Sequence, residues 1–374
     1  MNGPDPQREG VVTGGRARQA PGESAAVTSG LSGSETIGRL ISFGGLLADL
    51  AVTVDAVPER GGDTMARDFS QTVGGGFAVI AAAARLGMPT ALAGVLGDDA
   101  IADVARQKLR EEGVEMLFPE PRAGGSGVCL VLVDAGGERT MVTVQGVEAR
   151  VQSEDFDAVA PGPGDVVYIN GYELLYPHAT GLVNWVRRVR PDHLVFDPGP
   201  LISKIDPDAL AAILRATRWL SLNETEAAAL TGEDDPAAAA VAALRRIGAE
   251  VARPPSAPAV DGPKTPSMLE FSAHQHSMPD RRGGVVVRAG AEGCVIVMEG
   301  AEPRAIPAFA AEAVDTTGAG DTHVGAFIAA LARGLDPVEA CRWANAAAAV
   351  VVSSRGQVSP PRLGELRTAL ETAP

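Results

Sequence analysis

Residues 315–327 read DTTGAGDTHVGAF, and this is the most informative stretch of the sequence. The Gly318-Ala319-Gly320 turn leads into an alanine-rich apolar run at 324–331, which predicts a buried helix. Small residues let backbone N–H groups approach a ligand closely. The start of a helix adds unpaired N–H donors and the positive end of the helix dipole. The stretch therefore predicts an anion site suited to phosphate.

Asp321 stands at the predicted start of that helix. A carboxylate beside a phosphate site repels the anion, so its presence needs a chemical reason. General-base catalysis supplies one, because the carboxylate can take the proton from a hydroxyl that attacks a terminal phosphoryl group. The alternative is a plain helix N-cap, a position that Asp often occupies.

Composition and charge limit the classes of protein that fit. The chain has 374 residues, 45% of them apolar and only 4% aromatic, which suits a parallel sheet covered by helices. A net charge of −15 argues against nucleic acid or an anionic membrane as the main partner. The three cysteines show no CxxC spacing, so reduced thiols and a cytoplasmic location are expected. No apolar run is long enough to predict a transmembrane helix.

The chain divides into a tail and one large domain. Residues 1–37 are rich in Gly, Ser, Pro, Ala and Arg, which predicts a disordered N-terminal tail. Residues 38–374 form the predicted domain. From Asp165 onward strands and helices alternate, which predicts a parallel sheet with helices on both faces and ligands at the carboxyl ends of its strands. Residues 253–283, rich in Pro, Ser and charge, predict a flexible insertion.

The pattern D-T-T-G-A-G-D-T-x-x-G-A-F resembles the C-terminal signature of the ribokinase-like (PfkB) carbohydrate kinases. The resemblance extends over residues 38 to about 370 and implies a three-layer αβα sandwich with a mainly parallel central sheet and a small β lid. It also implies that Asp321 is the catalytic base and that Gly318, Ala319 and Gly320 form the anion hole. His323 stands where the family usually has Phe, either as a packing substitution or as a second titrating group.

The same resemblance implies a sugar-binding side. Asp49 falls where the family has an Asp that grips two sugar hydroxyls, a role that suits a carboxylate; the alternative is a turn Asp. Gly74 and Gly75 match the turn of the family's first signature. Glu138 corresponds to an acidic substrate contact, or else is a solvated hairpin residue. Ribokinases carry Asn at the positions of Leu47 and Val79 and a Lys-Gly pair at the positions of Gly76 and Phe77, so polar sugar contacts of ribokinases are missing here.

The nucleotide side follows a second set of motifs. Asn223 and Glu226 match the family's N-x-x-E motif for Mg²⁺ and ATP phosphates, and hard oxygens suit that ion; the alternative for Glu226 is a helix capping box. Arg288 replaces a Thr and either offers a cation to ATP or points to solvent. The resemblance implies further ATP contacts at Gly290, Gly293, Gly320 and Asn345, and a K⁺ site at Asp315 and Thr317.

These residues together predict ATP-dependent phosphorylation of a hydroxymethyl group on a sugar or sugar-like alcohol. The lid strands are expected at roughly 51–73 and 123–146, and a homodimer through the lid is expected from the resemblance. One alternative is a nucleoside kinase of the same fold, because Leu47, Phe77 and Val79 would suit a flat base. An alternative of another class is a non-catalytic sugar or nucleotide sensor.

Overall fold

The computed structural model of the protein describes residues 38–118, 121–253, 283–354 and 359–371. The predicted tail at 1–37 and the central part of the predicted insertion at 253–283 lie outside these ranges. Both therefore stay predictions.

Two sheets contain the strands of the described residues. Nine strands form the central sheet, in the order β13-β12-β11-β10-β9-β8-β1-β4-β5, and four form the smaller sheet, in the order β3-β2-β6-β7. The strands are β1 (Leu40–Phe43), β2 (Ala48–Thr53), β3 (Asp68–Val73), β4 (Thr90–Leu92), β5 (Glu115–Met116), β6 (Val128–Val133), β7 (Arg139–Val144), β8 (Val166–Asn170), β9 (His193–Asp197), β10 (Trp219–Asn223), β11 (Gly284–Arg288), β12 (Cys294–Met298) and β13 (Arg304–Ile306).

The central sheet is parallel from β5 to β11, and β12 and β13 continue it as antiparallel strands. Every residue of β1 is buried, as expected of a strand that helices cover on both faces. The nine helices of the described chain are α1 (Phe77–Arg85), α2 (Ala100–Glu111), α3 (Ala179–Val189), α4 (Pro207–Ala216), α5 (Glu224–Thr231), α6 (Pro236–Ala252), α7 (Ala319–Ala332), α8 (Pro337–Val352) and α9 (Leu363–Glu371).

Two apolar cores separate the helices into layers. One core contains residues of α3, α4, α5 and α6, such as Trp185 and Leu210. The other contains residues of α1, α7, α8 and α9, such as Phe327 and Leu366. Strands of the central sheet contribute to both cores, so the three-layer αβα sandwich predicted from the sequence is confirmed. No helix within the described ranges combines the length and the apolar character that crossing a membrane requires.

The smaller sheet is the predicted lid. Its second strand, β2, already begins at Ala48, so Asp49 lies on the lid itself and not in a turn before it. Side chains two residues apart along a strand share a face. Asp49 is therefore on the same face as Cys129 and Thr143, its neighbours across β6 and β7.

Helix α7 packs closely against α1. A Cβ atom on Gly325 would lie 2.3 Å from the carbonyl oxygen of Val79, so a side chain cannot be placed there without moving one helix. Val79 is fully buried in this contact. The expectation that Val79 would help to accommodate a flat base is therefore wrong, because its side chain lies in the core.

Candidate active site

Four polar or charged residues end four neighbouring strands of the central sheet. Asn170 ends β8, Asp197 ends β9, Asn223 ends β10 and Arg288 ends β11. The register pairs Asn170 with Asp197 and Asn223 with Arg288. All four residues therefore lie at the carboxyl edge of the sheet, where ligands bind in open α/β folds.

The start of α7 lies beside this edge and offers backbone N–H groups. Gly318 is its N-cap with φ 71°, a left-handed conformation that favours glycine. The amide of Ala319 is bonded to the carbonyl of Thr316 at 3.3 Å. The amides of Gly320 and Asp321 have no acceptor among the described residues, as expected in the first turn of a helix. Of the three residues of the predicted anion hole at 318–320, Gly320 therefore has a backbone N–H group that is available to bind an anion. The next residue, Asp321, has a second such N–H group.

Asp321 is the third residue of α7 and not its N-cap. Within the described ranges no donor bonds its carboxylate, whereas Asp336 caps α8 by accepting a hydrogen bond from the amide of Val338 at 2.9 Å. The capping alternative therefore does not describe Asp321. Burial, and then the charges of Asp197 and Asp49, raise the pKa of its carboxyl group to about 7, against the lowering effect of Arg288.

Asp49 lies on lid strand β2 next to the predicted sugar-binding turn, and its charge acts on Asp321. A Cβ atom on Gly74 would lie 2.3 Å from Oδ2 of Asp49, and one on Gly75 would lie 2.1 Å from the carbonyl oxygen of Gly45. A side chain at Gly74 would therefore displace the Asp49 carboxylate, and Gly75, with φ 68° against backbone, requires glycine. Burial raises the pKa of Asp49 to about 6.

Asn223 and Glu226 form a capping box at the start of α5. The amide N–H of Asn223 donates to Oε2 of Glu226 at 2.8 Å, and the side-chain Nδ2 donates to Oε1 at 2.9 Å. The amide of Glu226 in turn donates to Oδ1 of Asn223 at 2.8 Å. The helix capping box, which the sequence analysis gave as the alternative for Glu226, is therefore the geometry observed. Burial and the charge of Asp197 raise the pKa of Glu226 to about 7, against the lowering effect of Arg288.

Arg288 connects these carboxylates. Its Nη1 lies 2.8 Å from Oδ2 of Asp197, and its Nη2 lies 3.5 Å from Oε2 of Glu226. A Cβ atom on Gly320 would lie 3.6 Å from its Nε. The side chain is only 13% exposed, so Arg288 does not point to solvent: it is a buried cation beside the open amides of α7.

Three predicted ATP-binding residues lie apart from these contacts. Asn345 is buried, and its Nδ2 donates to the carbonyls of Ile306 and Pro307 at 3.0 Å. Its Oδ1 is 3.1 Å from Nε2 of His323, which is itself buried. The side-chain amide of Asn345 thus connects α8 to the end of β13 and the residue after it. Of the two alternatives for His323, the packing substitution is the one that fits its buried position. Gly290 and Gly293 bound the short turn between β11 and β12.

The lid hairpin formed by β6 and β7 contains the predicted substrate contact Glu138. It also reaches Asp315 of the predicted cation site. Glu138 is exposed in the turn between β6 and β7, and the structure places no described residue against its side chain. Its neighbour Arg139 crosses to the other side of the cleft, where Nη2 donates to Oγ1 of Thr316 at 3.0 Å. The same Nη2 is 3.4 Å from Oδ1 of Asp315. Asp315 also accepts hydrogen bonds from the amide and hydroxyl of Thr317.

Sequence reasoning missed Asn170, Asp197, Tyr172 and Arg139. The rule that selected Asn223, a polar residue at the end of a predicted parallel strand, would have selected Asn170 and Asp197. Tyr172 follows β8 and is 36% exposed. Burial, and then neighbouring charges that include Cys129, Asp321 and Asp49, raise its pKa, so its hydroxyl is within electrostatic range of these groups. No sequence signal pointed to Arg139.

Two buried glutamates hold the connections between the lid and the large domain. Glu148 accepts hydrogen bonds from the amides of Gly127 at 2.9 Å and Gly146 at 2.7 Å, which adjoin β6 and β7. Glu173 accepts one from the amide of Gly45 at 2.9 Å, between β1 and β2. Both side chains are almost fully buried. Because three lid connections end on these two carboxylates, the lid is anchored to the large domain through glycine N–H groups.

Comparison with known proteins gives consistent matches along the chain. The family model described as pfkB family carbohydrate kinase matches residues 38–252 and 270–362. The chain is 33% identical over 328 residues to the uncharacterized sugar kinase YegV of Escherichia coli, covering 87% of this chain and 92% of that protein. It is 28% identical over 347 residues to mouse ribokinase, covering 90% and 96%. The solved structure of Arabidopsis thaliana ribokinase complexed with ribose and ATP matches with a TM-score of 0.62 and 22% identity, covering 90% of this chain and 100% of that one.

Proposed function

This chain belongs to the pfkB family of carbohydrate kinases, and from that premise we propose that it transfers the terminal phosphoryl group of ATP to a hydroxymethyl group. The acceptor is a sugar or a sugar-like alcohol. The observation that carries the proposal is the position of Asp321 in the first turn of α7, one residue after the open amide of Gly320 and within the fields of Asp49 and Arg288.

Each side chain has a role that its surroundings support. Asp321 accepts the proton of the attacking hydroxyl, since its pKa of about 7 suits a general base near neutral pH. The amides of Gly320 and Asp321 stabilise the charge on the transferring phosphoryl oxygens. Asp49 accepts hydrogen bonds from hydroxyls of the acceptor and orients it beneath the lid. Arg288 adds positive charge next to Gly320.

Asn223 and Glu226 fit Mg²⁺ as partners of its water ligands. Both carboxylate oxygens of Glu226 already accept hydrogen bonds within the capping box, and Mg²⁺ commonly keeps several waters in protein sites. When bound, the ion neutralises charge on the phosphates.

A screen of acceptors tests the proposal. Purified protein would be incubated with ATP and Mg²⁺ and, in turn, ribose, fructose, ketodeoxy acids, inositol, adenosine and pseudouridine, with ADP release and product mass as readouts. We expect one class of hydroxymethyl compound to be phosphorylated. Preference for a nucleoside would favour the second candidate, nucleoside kinase, which the exposed ring of Tyr172 in the cleft supports. Tight ligand binding without ATP consumption by any acceptor would contradict catalysis and favour a sensor.

The pH dependence of the rate follows from two raised pKa values. Asp321 must be ionised to accept a proton, so kcat/KM for the acceptor should rise with pH and level off above about 7. Asp49, with a pKa of about 6, loses its charge at lower pH, so the decline should steepen below that value. Initial rates at saturating ATP between about pH 5 and pH 9 would check this. A flat profile through neutral pH would contradict the assignment of Asp321.

A homodimer through the lid is the oligomeric part of the proposal. The lid face opposite to Asp49 exposes large apolar side chains, which form one patch: Phe69, Leu130, Val142 and Val144. Such a patch is typical of an interaction surface, and a second copy of the lid matches it in shape and polarity.

We expect Val142→Asp to convert the dimer to a monomer, because the substitution places a charge in the apolar patch. Light scattering coupled to gel filtration would measure the mass. Val104→Asp is a matched control, since Val104 is an exposed apolar residue on α2. A wild-type protein that is monomeric at micromolar concentration would contradict this part of the proposal.

The cytoplasmic location expected from the sequence also remains part of the proposal. All three cysteines, Cys129, Cys294 and Cys341, are buried free thiols, and free thiols are typical of a reducing compartment.

A further inference from the structure

Arg139 joins the lid to the loop that precedes α7. It is the first residue of β7 and lies on the same face as Thr143, which pairs with Cys129, the neighbour of Asp49 on β6. Its guanidinium bonds Oγ1 of Thr316 at 3.0 Å and lies 3.4 Å from Oδ1 of Asp315. Arg139 and Asp315 are 176 positions apart in sequence. Their contact therefore connects the lid to the loop before α7.

Asp315 makes its contacts with Thr317 through one carboxylate oxygen, and a guanidinium lies beside it. Its Oδ1 accepts from the amide of Thr317 at 2.8 Å and from the hydroxyl of Thr317 at 2.6 Å, in addition to the contact with Arg139. A monovalent cation held by Asp315 and Thr317 would lie beside a guanidinium of the same charge, which repels it. The residues present therefore do not fit the K⁺ site that the sequence predicted.

We propose that Arg139 is a positioning residue that supplies, from the lid, the positive charge that the 315–317 loop would otherwise take from a monovalent cation. The kinase reaction is then independent of K⁺. The guanidinium neutralises Asp315, which in turn holds Thr317 next to the N-cap of α7 and so sets the direction of the open amides. Arginine suits this role because it stays charged at all physiological pH values. The inference rests on the proposed function for its kinetic test, but not for its thermal test.

The kinetic test compares wild type, Arg139→Ala and Arg139→Lys in choline, Na⁺ and K⁺ buffers of equal ionic strength. Wild type and Arg139→Lys should turn over equally in all three salts. Arg139→Ala should be slower by about one to two decades in choline, as expected when the alignment of an anion hole is impaired, and faster in K⁺ or with added guanidinium. Arg150→Ala is a matched control, because Arg150 is exposed and lies just after the lid.

Two outcomes would overturn the proposal. One is a wild-type enzyme whose turnover rises clearly when choline is replaced by K⁺. The other is an Arg139→Ala variant whose turnover is the same in every salt, whether fast or slow, and does not respond to guanidinium.

A thermal measurement separates this inference from the proposed function. K⁺ should raise the melting temperature of Arg139→Ala relative to choline and leave that of wild type unchanged, because a ligand that binds only the folded state stabilises it. If no acceptor is phosphorylated by wild type, the proposed function fails, while the melting temperatures still decide the cation question. A melting temperature of wild type that K⁺ raises as much as that of the variant would contradict the inference.

Discussion

Asp321→Asn should lower turnover by about two to four decades, the usual effect of losing a general base. The amide is nearly the same size as the carboxylate, so the fold and the open amides at the start of α7 should persist. The substitution removes only the group that takes the proton from the acceptor hydroxyl. Steady-state kinetics with the acceptor found in the screen would measure kcat, and KM for ATP should change little by comparison.

Asp336→Asn is the matched control for this variant. Asp336 is also at the start of a helix, where it caps α8, and Asn caps a helix as well as Asp does. The control should therefore keep wild-type turnover and stability. Turnover of Asp321→Asn within a few-fold of wild type would remove Asp321 from the mechanism and leave the open amides without a catalytic partner.

Arg288→Met should lower the free energy of unfolding by about 3–5 kcal/mol, the cost of breaking a buried ion pair from one side. Methionine fills similar space but leaves Asp197 and Glu226 without their cation. Because Arg288 lowers the pKa of Glu226, its loss should raise that pKa above its present value of about 7. The destabilisation should consequently be larger at pH 8 than at pH 5, where Glu226 is protonated in both proteins. Urea denaturation at the two pH values would measure it.

Two further variants make the result for Arg288 specific. Asp197→Asn combined with Arg288→Met should recover part of the lost stability, because one of the two uncompensated charges is removed. Arg304→Met, at an exposed position on β13, should change stability little. Equal destabilisation by Arg288→Met and Arg304→Met would contradict the view that Arg288 neutralises two buried carboxylates.

Local sequence patterns predicted much of the fold. The alternation of apolar strands with helical segments after Asp165 predicted the parallel sheet and the helices that cover it, among them α3 and α4. The start of the lid was less well predicted: β2 already begins at Ala48. Periodicity marks the interior of a strand better than its end, because terminal residues are only partly buried.

Local sequence patterns predicted less of the candidate site. Asp321 was identified from the glycine turn before it, whereas Asp49, Arg288 and Glu226 were identified because they stand at motif positions of the family that the chain resembles. Their mutual influence was not predictable, because it depends on distances between residues far apart in the chain. The same is true of Arg139 and of the Glu148 and Glu173 anchors, whose partners are backbone or side-chain groups on other elements.

The glycine turn before α7 and the position of Asp321 after it could be predicted from the sequence alone, because residues adjacent in the chain specify turns and helix starts. The burial of Arg288 between two carboxylates, the position of Val79 in the core and the hydrogen bond from Arg139 to the loop before α7 became evident from the folded structure. These properties arise from packing between elements, where burial changes the cost of a charge. They depend on which surfaces meet in the fold, and this cannot be deduced from residues that are adjacent in the chain.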